Sequence, residues 1–331
     1  MDNRLEALEN FRFRGIHPSL FFGTASDRYS GWLGQIYSRD RYEGRLSSRT
    51  KSLDGKTYNE TLLPMDSVKE YFEHFPLLEI DFTFYRPLLD RNGKPTRNHH
   101  VLGAYQQHLG PDDRIIVKVP QDVIARKIRR RGSYESNPFY LDPDYFALRF
   151  YEPVNLILGS NLAGFIFEQE YQRKEPGYGS EHLAADLKAF FEKLPRDDRY
   201  HLEIRTDRLL KDPVLDVLEG LGAGLVLSHW TWLPPLRNQH RKIAGRRMSG
   251  DQIIRLVTPR GKNYAQTYDA AFPFSHLVDG MMSPDMVEDT LEIIRGEVKA
   301  GRRISLIVNN RSGGNAPQIA RLIAERVAED L

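Results

Sequence analysis

The chain of 331 residues contains no cysteine. That absence excludes disulfides, thiolate metal sites and a cysteine nucleophile, and it agrees with a reducing compartment. Long apolar runs are missing too: nowhere do about 18 consecutive apolar residues occur, the length a membrane-spanning helix needs. The first ten residues mix charges and lack the apolar centre of a secretory signal. The expected location is therefore cytoplasmic, with no membrane partner. No G-x-S-x-G elbow is available for serine catalysis, and no G-x-G-x-x-G follows the first apolar run. The ten histidines are scattered, with only His99, His100 and His229 near predicted strand ends. No metal ligand set is assigned from them; a carboxylate-held Mg2+ leaves little trace in a sequence, and the cofactor question stays open. Charge of one sign is nearly absent as well: 47 Lys and Arg against 45 Asp and Glu give a net +2, too little by itself to imply a nucleic-acid partner.

What is present is an alternation. Apolar runs at 20–24, 77–82, 114–119, 164–169, 201–205, 224–228, 253–257 and 304–309 read as strands. Apolar residues at helical spacing occupy 68–75, 101–109, 145–158, 183–194, 214–221, 286–298 and 319–327. Strands alternating with helices argue for a parallel sheet covered by helices, and eight units are the count of a (β/α)8, TIM-barrel-like fold. A doubly wound open sheet is the alternative, weakened by the missing glycine fingerprint. Residues 1–17 read as an N-terminal extension and 18–331 as one barrel domain.

The connections are lopsided. Links from helix to strand are short and carry breakers, whereas links from strand to helix run long, over 25–64, 120–144, 229–248 and 259–283. The surplus chain thus sits on the C-terminal face, where barrel enzymes place their chemistry. These loops hold 19 Lys or Arg against 11 Asp or Glu, leaving them +8 and the remainder −6. The run Arg126 to Arg131 and Arg237, Arg241, Lys242, Arg246 and Arg247 supply most of the excess. A basic concave face concentrates anionic ligands. Trp32, Trp230 and Trp232 lie in the same loops, and aromatic faces beside Arg suit bases or sugar rings. The competing reading is a solvated cationic rim whose aromatics pin long loops to the barrel.

Within the second strand, Leu77, Glu79 and Asp81 share one face because strand side chains alternate. Acids on the covered face of a central strand need a structural partner or a chemical task. Together with Lys118, Gln169, Glu203, Arg205, Arg255 and Asn309, they form a set drawn from separate strand ends that would meet at one mouth. Such a cluster can drive pKa values apart, keeping one carboxyl protonated and another ionised. Glu79, Asp81 and Glu203 are the candidate acid and base groups. Tyr85, Lys118, Gln169, Arg205, Trp230, Arg255, Asn309 and Asn310 are the candidate substrate-binding residues. A buried salt-bridge network that fixes the barrel explains the charged members equally well. Glu168 and Glu170 flank the fourth strand end, but Arg255 occupies the seventh, which argues against paired glycosidase carboxylates. Arg311-Ser-Gly-Gly-Asn315 opens the last helix, a place where phosphate can bind.

The order and spacing of these pieces resemble the YecE-like family, a domain of unknown function with a TIM-barrel-like fold. The likeness runs from about Pro18 to the end. Gly23-Thr24 with Tyr29, Trp32, Gly34 and Tyr37 is similar to the family's opening segment, and Glu79-Ile-Asp-Phe-Thr-Phe-Tyr85 to its most recognisable motif. Lys118-Val-Pro120, Gln169, Glu203-Ile-Arg205, Arg255-Leu256 and Asn309-Asn310 resemble its later strand ends. Departures mark a divergent member: Asp81 stands where Asn is usual, Asp27 where Trp is common, and Thr206 and Leu209 replace a His and a Trp. The resemblance implies the fold and no established reaction. The function expected from the residues is an enzyme of hydrolase type acting on an anionic, phosphate-bearing substrate such as a nucleotide, nucleic-acid fragment or sugar phosphate. The alternative is a non-catalytic protein that binds a nucleic acid or other anion at the same basic mouth.

Overall fold

Runs of β-branched and aromatic residues punctuated by Gly and Pro give the short strands of this chain, and their helical partners fold back over them. The computed structural model describes residues 3–130, 132–169 and 171–330; Arg131 and Glu170 lie outside the described residues. The strands are β1 (Leu20–Ala25), β2 (Leu77–Ile80), β3 (Arg114–Lys118), β4 (Leu162–Gln169), β5 (Tyr200–Ile204), β6 (Gly224–Leu225 and Leu227–His229), β7 (Gln252–Leu256) and β8 (Ile304–Val308). Each pairs in parallel with its neighbours in chain order, and β1 also pairs with β8. The sixth strand is broken at Val226: its first piece pairs with β5 and its second with β7, so the two ends of the sheet meet there. The result is an α/β barrel of the TIM type.

Alternation along the strands builds the interior in layers. Leu77, Ile116, Ile166, Val226, Ile253 and Ile307 form an apolar middle layer. Two residues earlier, Arg114 and Asp251 pair below it, with Ser305 also bonded to Asp251. Two residues later, the inward positions are Glu79, Lys118, Glu168, Ser228 and Arg255. β1 and β2 approach so closely that a Cβ on Gly23 would collide with the Leu77 carbonyl oxygen. The outward faces, such as Phe22, Leu78, Val117, Phe165 and Leu202, are buried in the main core beneath the helices.

The helices used below are α1 (Asn3–Glu9), α2 (Val68–His74), α3 (Arg97–Gln106), α4 (Glu152–Leu158), α5 (Ser180–Phe191), α6 (Asp212–Leu221), α7 (Leu236–Ile243), α8 (Tyr264–Ala271), α9 (Pro284–Lys299) and α10 (Ala316–Asp330). Three local differences from the sequence expectation have clear causes. β2 stops at Ile80 because Asp81 turns the chain into a 3-10 turn over Phe82–Tyr85. The helix expected over 145–158 contains a π-helical turn at Ala147–Tyr151 before α4. The long loops have structure of their own: 25–64 holds a hairpin of Ser47–Leu53 with Lys56–Leu62, and 120–144 a smaller one of Lys127–Arg130 with Ser133–Ser136. The N-terminal segment packs against the barrel, since Leu8, Phe13 and Ile16 are buried in the main core and Phe13 stacks on Phe75.

Candidate functional site

Two polar assemblies lie at the C-terminal end of the barrel, one sealed and one open. The sealed one contains six of the expected residues. Arg255 on β7 donates from Nε and Nη2 to the two oxygens of Glu79 on β2, at 2.7 and 2.6 Å, a bidentate fork that matches carboxylate geometry. Its Nη1 also bonds Glu203 of β5. Arg205 reaches Glu168 at 2.7 Å and Glu203 at 3.3 Å. Lys118 of β3 pairs with Glu168, and the Ser228 hydroxyl donates to Glu203 at 2.5 Å. Trp230 and Phe84 complete the shell: the Arg205 guanidinium lies 4.3 Å from the Trp230 ring and the Lys118 ammonium 4.1 Å from Phe84.

Glu79 and Glu203 are wholly buried, and Glu168, Arg255 and Lys118 nearly so. Three acids and three bases balance, which is how buried charge is made tolerable. Burial pulls the Arg255 guanidinium down, but Glu203, Glu79 and Glu168 outweigh it and hold it above its ordinary value. For Glu168 burial is outweighed by Arg205, Lys118 and Arg255, and the carboxyl is held at about 2. Burial wins at Glu79, whose carboxyl is raised despite Arg255. Sequence reading had put Gln169 in the binding set and treated Glu168 as a flank. The inward residue of β4 is Glu168, while Gln169 carries a buried Oε1 without a partner. The signal was available in the alternation Gly164, Ile166, Glu168.

The open assembly is a cavity of about 660 Å³ on the β8, β1 and β2 side of the mouth. Ser26 to Tyr29 after β1, Asp81 and Tyr85 after β2, and Asn309 to Arg311 after β8 form its floor and sides. Arg49, Lys51 and Glu60 of the first hairpin, Arg97 of α3 and Tyr264 and Tyr268 of α8 enclose it. Of the expected site residues, Asp81, Tyr85, Asn309 and Asn310 therefore line the cavity, and the salt-bridged group lies apart from it. The hairpin is latched to α8: Lys56 and Tyr58 bond Asp269 at 2.7 and 2.8 Å, and Tyr268 bonds Glu60.

Cations dominate this wall. Arg49 and Lys51 are offset by Glu60, but Arg28, Arg86, Arg97 and Arg311 have no ion-pair partner among the described residues. Among the described residues the Arg311 guanidinium bonds only to Asn309 Oδ1 at 3.2 Å and Thr258 Oγ1 at 3.4 Å, and it lies 4.1 Å from the Tyr264 ring. Burial lowers its pKa, Tyr264 and Tyr29 partly restore it, and Arg205 and Arg255 push it down further. Much of the rim charge counted from sequence is spent elsewhere: Arg246 pairs with Asp212, Asp216 and Glu219, Arg237 with Asp289, and Arg126 and Lys127 with Glu175.

Sequence reading missed Asp27 as a site residue, though it noted the departure there. Asp27 is 2% exposed, accepts a hydrogen bond from Tyr105 at 2.8 Å on Oδ1, and leaves Oδ2 without a partner. Burial raises its carboxyl to about 6; Tyr105 and Arg28 oppose the rise and the Asp81 charge adds to it. Asn310 Oδ1 accepts from Trp32 Nε1 at 3.1 Å and from the Ala316 amide at 2.7 Å, while its Nδ2 stays unpartnered. Asn310 and Asn315 thus fill the N-terminus of α10, correcting the expectation of a phosphate there. Among the described residues no three His, Asp or Glu side chains converge as a metal ion requires, and burial lowers His229 to about 4.

Comparison with known proteins gives a family and a fold. Residues 47–331 match the family described as protein of unknown function DUF72, and no curated protein matches the chain. The fold is similar to a DUF72 family protein from Enterococcus faecalis V583, with a TM-score of 0.55 and 12% identity over 95% of this chain and 98% of that one. It is also similar to a DUF72 family protein from Thermotoga maritima MSB8, with a TM-score of 0.54 and 14% identity over 94% and 99%. No helix among the described residues is long and apolar enough to cross a membrane.

Proposed function

The chain belongs to the DUF72 family of proteins of unknown function, and from that premise we propose that its mouth cavity binds an anionic, phosphate-bearing substrate and carries out hydrolase-type acid–base chemistry on it. The observation that carries the reading is the set of four guanidinium groups, Arg28, Arg86, Arg97 and Arg311, that face one cavity without a carboxylate of their own. Arg28 and Arg311 are half-buried, where an uncompensated cation is costly, Arg86 and Arg97 are exposed at the rim, and a phosphate supplies the missing counter-charge through oxygens that accept the paired N–H groups of the guanidinium fork. Tyr29, Tyr85 and Tyr264 offer ring faces for a sugar or base. Of the carboxylates lining the cavity, Glu60 is paired with Arg49 and Lys51, and Asp81 is assigned the proton transfer. Glu79 and Glu203 support it from below by holding the strand ends in register.

Binding without turnover is the second reading. It draws on the balanced charge of the sealed network, which occupies Glu79, Glu168 and Glu203 with structural work. Calorimetric titration with AMP and with inorganic phosphate tests the site. Arg311→Met, and the exposed Arg97→Ala that leaves packing untouched, are expected to weaken AMP roughly tenfold or more, the value of one charge-assisted hydrogen bond. Unchanged affinity in both variants would remove the site. Loss of phosphate-ester turnover in Asp81→Asn with AMP affinity retained favours the enzyme; absence of turnover in the wild type favours the binding protein. A nucleic-acid fragment would add a steep salt dependence that AMP lacks.

A further inference from the structure

Asp27 is an odd residue to find in the wall of a cationic cavity. It is almost wholly buried, yet Oδ2 has no donor, and no cation lies within ion-pair distance among the described residues. Only Oδ1 is satisfied, by the Tyr105 hydroxyl of α3. A carboxylate left with an empty oxygen in a desolvated site pays a penalty that protonation removes.

We propose that Asp27 presents a protonated carboxyl to the cavity, so that Oδ2–H donates a hydrogen bond to an oxygen of a bound phosphate-type oxyanion. Asn310 Nδ2 is a second donor of the same kind on the β8 side, buried, unpartnered and lining the same cavity. Asp27 and Asn310 line the same cavity as Arg28 and Arg311, their neighbours in the chain. A carboxyl that stays charged would repel the ligand that the guanidinium groups attract; a neutral one adds to their selectivity for oxyanions. This inference rests on the cavity being the anion site.

The groups facing Asp27 are few. Arg28 and Tyr29 lie beside it in the chain, Asp81 comes from the end of β2, Tyr105 from α3, Tyr71 from α2, and the Tyr37 hydroxyl bonds its main-chain oxygen at 2.9 Å. Burial and the Asp81 charge favour the protonated form, and Arg28 opposes it. Because the carboxyl is raised to about 6, donation is available below that pH and fades above it, so oxyanion affinity should rise as pH falls.

Sulfate is the appropriate probe, since it keeps its double charge across the range while phosphate itself titrates. By calorimetry the wild type should bind sulfate roughly tenfold tighter near pH 5 than near pH 8, and take up a proton on binding at the higher pH. Asp27→Asn, whose amide donates at every pH, should bind sulfate with little pH dependence and tighter than the wild type near pH 8. Asp27→Leu, which has no donor, should bind weakly throughout. If Asp27→Asn keeps the wild-type pH dependence, another group is responsible and the inference is overturned. If sulfate binds the wild type with flat affinity and no proton uptake, the inference fails while the anion site stands, a result that does not depend on any variant folding. If sulfate binds none of the three proteins, the anion site itself is wrong.

Discussion

Arg255 shows how one side chain decides the character of a barrel top. Its fork closes on Glu79, its remaining nitrogen bonds Glu203, and together they tie β7 to β2 and β5 across the interior. Such a group is worth little if replaced whole by apolar residues and a great deal if broken, because the abandoned carboxylates stay buried. Arg255→Leu should therefore cost about 3–5 kcal/mol in urea denaturation, and adding Glu79→Leu should recover part of that loss. A cost below about 1 kcal/mol for the single change would mean that the network does not hold the barrel. At this scale the sequence was informative where alternation applied: Leu77 and Glu79 fall on one face of β2, and Leu77 lies in the interior layer with Glu79 above it. It was silent on which charges would be consumed, because pairing across the barrel depends on strands 176 residues apart, as for Arg255 and Glu79.

The eight strands were legible as apolar runs, and the asymmetry of loop lengths pointed to the end where the cavity lies. The hairpin of Ser47–Leu62 was not foreseen. Its turn, Asp54-Gly55, has both residues at positive φ, 49° and 77°, the requirement of a tight hairpin turn, and that dipeptide was the available cue. The flanking strands are polar and mostly exposed, so no hydrophobic alternation announced them. What holds the hairpin over the cavity is the latch of Lys56 and Tyr58 on Asp269. Asp269→Ala should raise amide exchange across 47–62 by a few-fold, since one exposed and one partly buried hydrogen bond are lost, while the global unfolding transition shifts little. Unchanged exchange would show that the remaining contacts to α8, Glu60 with Tyr268 and Lys51 with Tyr264, suffice to fix the hairpin.

For the molecule as a whole, the N-terminal segment belongs to the fold more than its description as an extension suggested. Leu8, Phe13 and Ile16 are buried against the barrel, and each apolar side chain of that size contributes roughly 1.5–3 kcal/mol when fully covered. Their sum, about 4.5–9 kcal/mol as an upper estimate, is comparable with the whole stability of a typical domain. A chain begun at Pro18 should accordingly melt far lower than the full chain or aggregate, as thermal unfolding followed by circular dichroism would show. Equal melting temperatures would return those residues to the status of an appendage.

By itself the sequence determined the barrel, because eight apolar runs at alternating spacing have few other ways to bury themselves, and it determined that acids and bases from separate strands would gather at one end. Only the tertiary structure decided which of them face solvent. Register and the broken sixth strand seal Glu79, Glu168, Glu203 and Arg255 into mutual pairs, whereas the first hairpin and α8 enclose a separate cavity around Asp27, Asp81 and Arg311. Burial and partner choice are properties of contacts between distant segments, and composition carries no record of them.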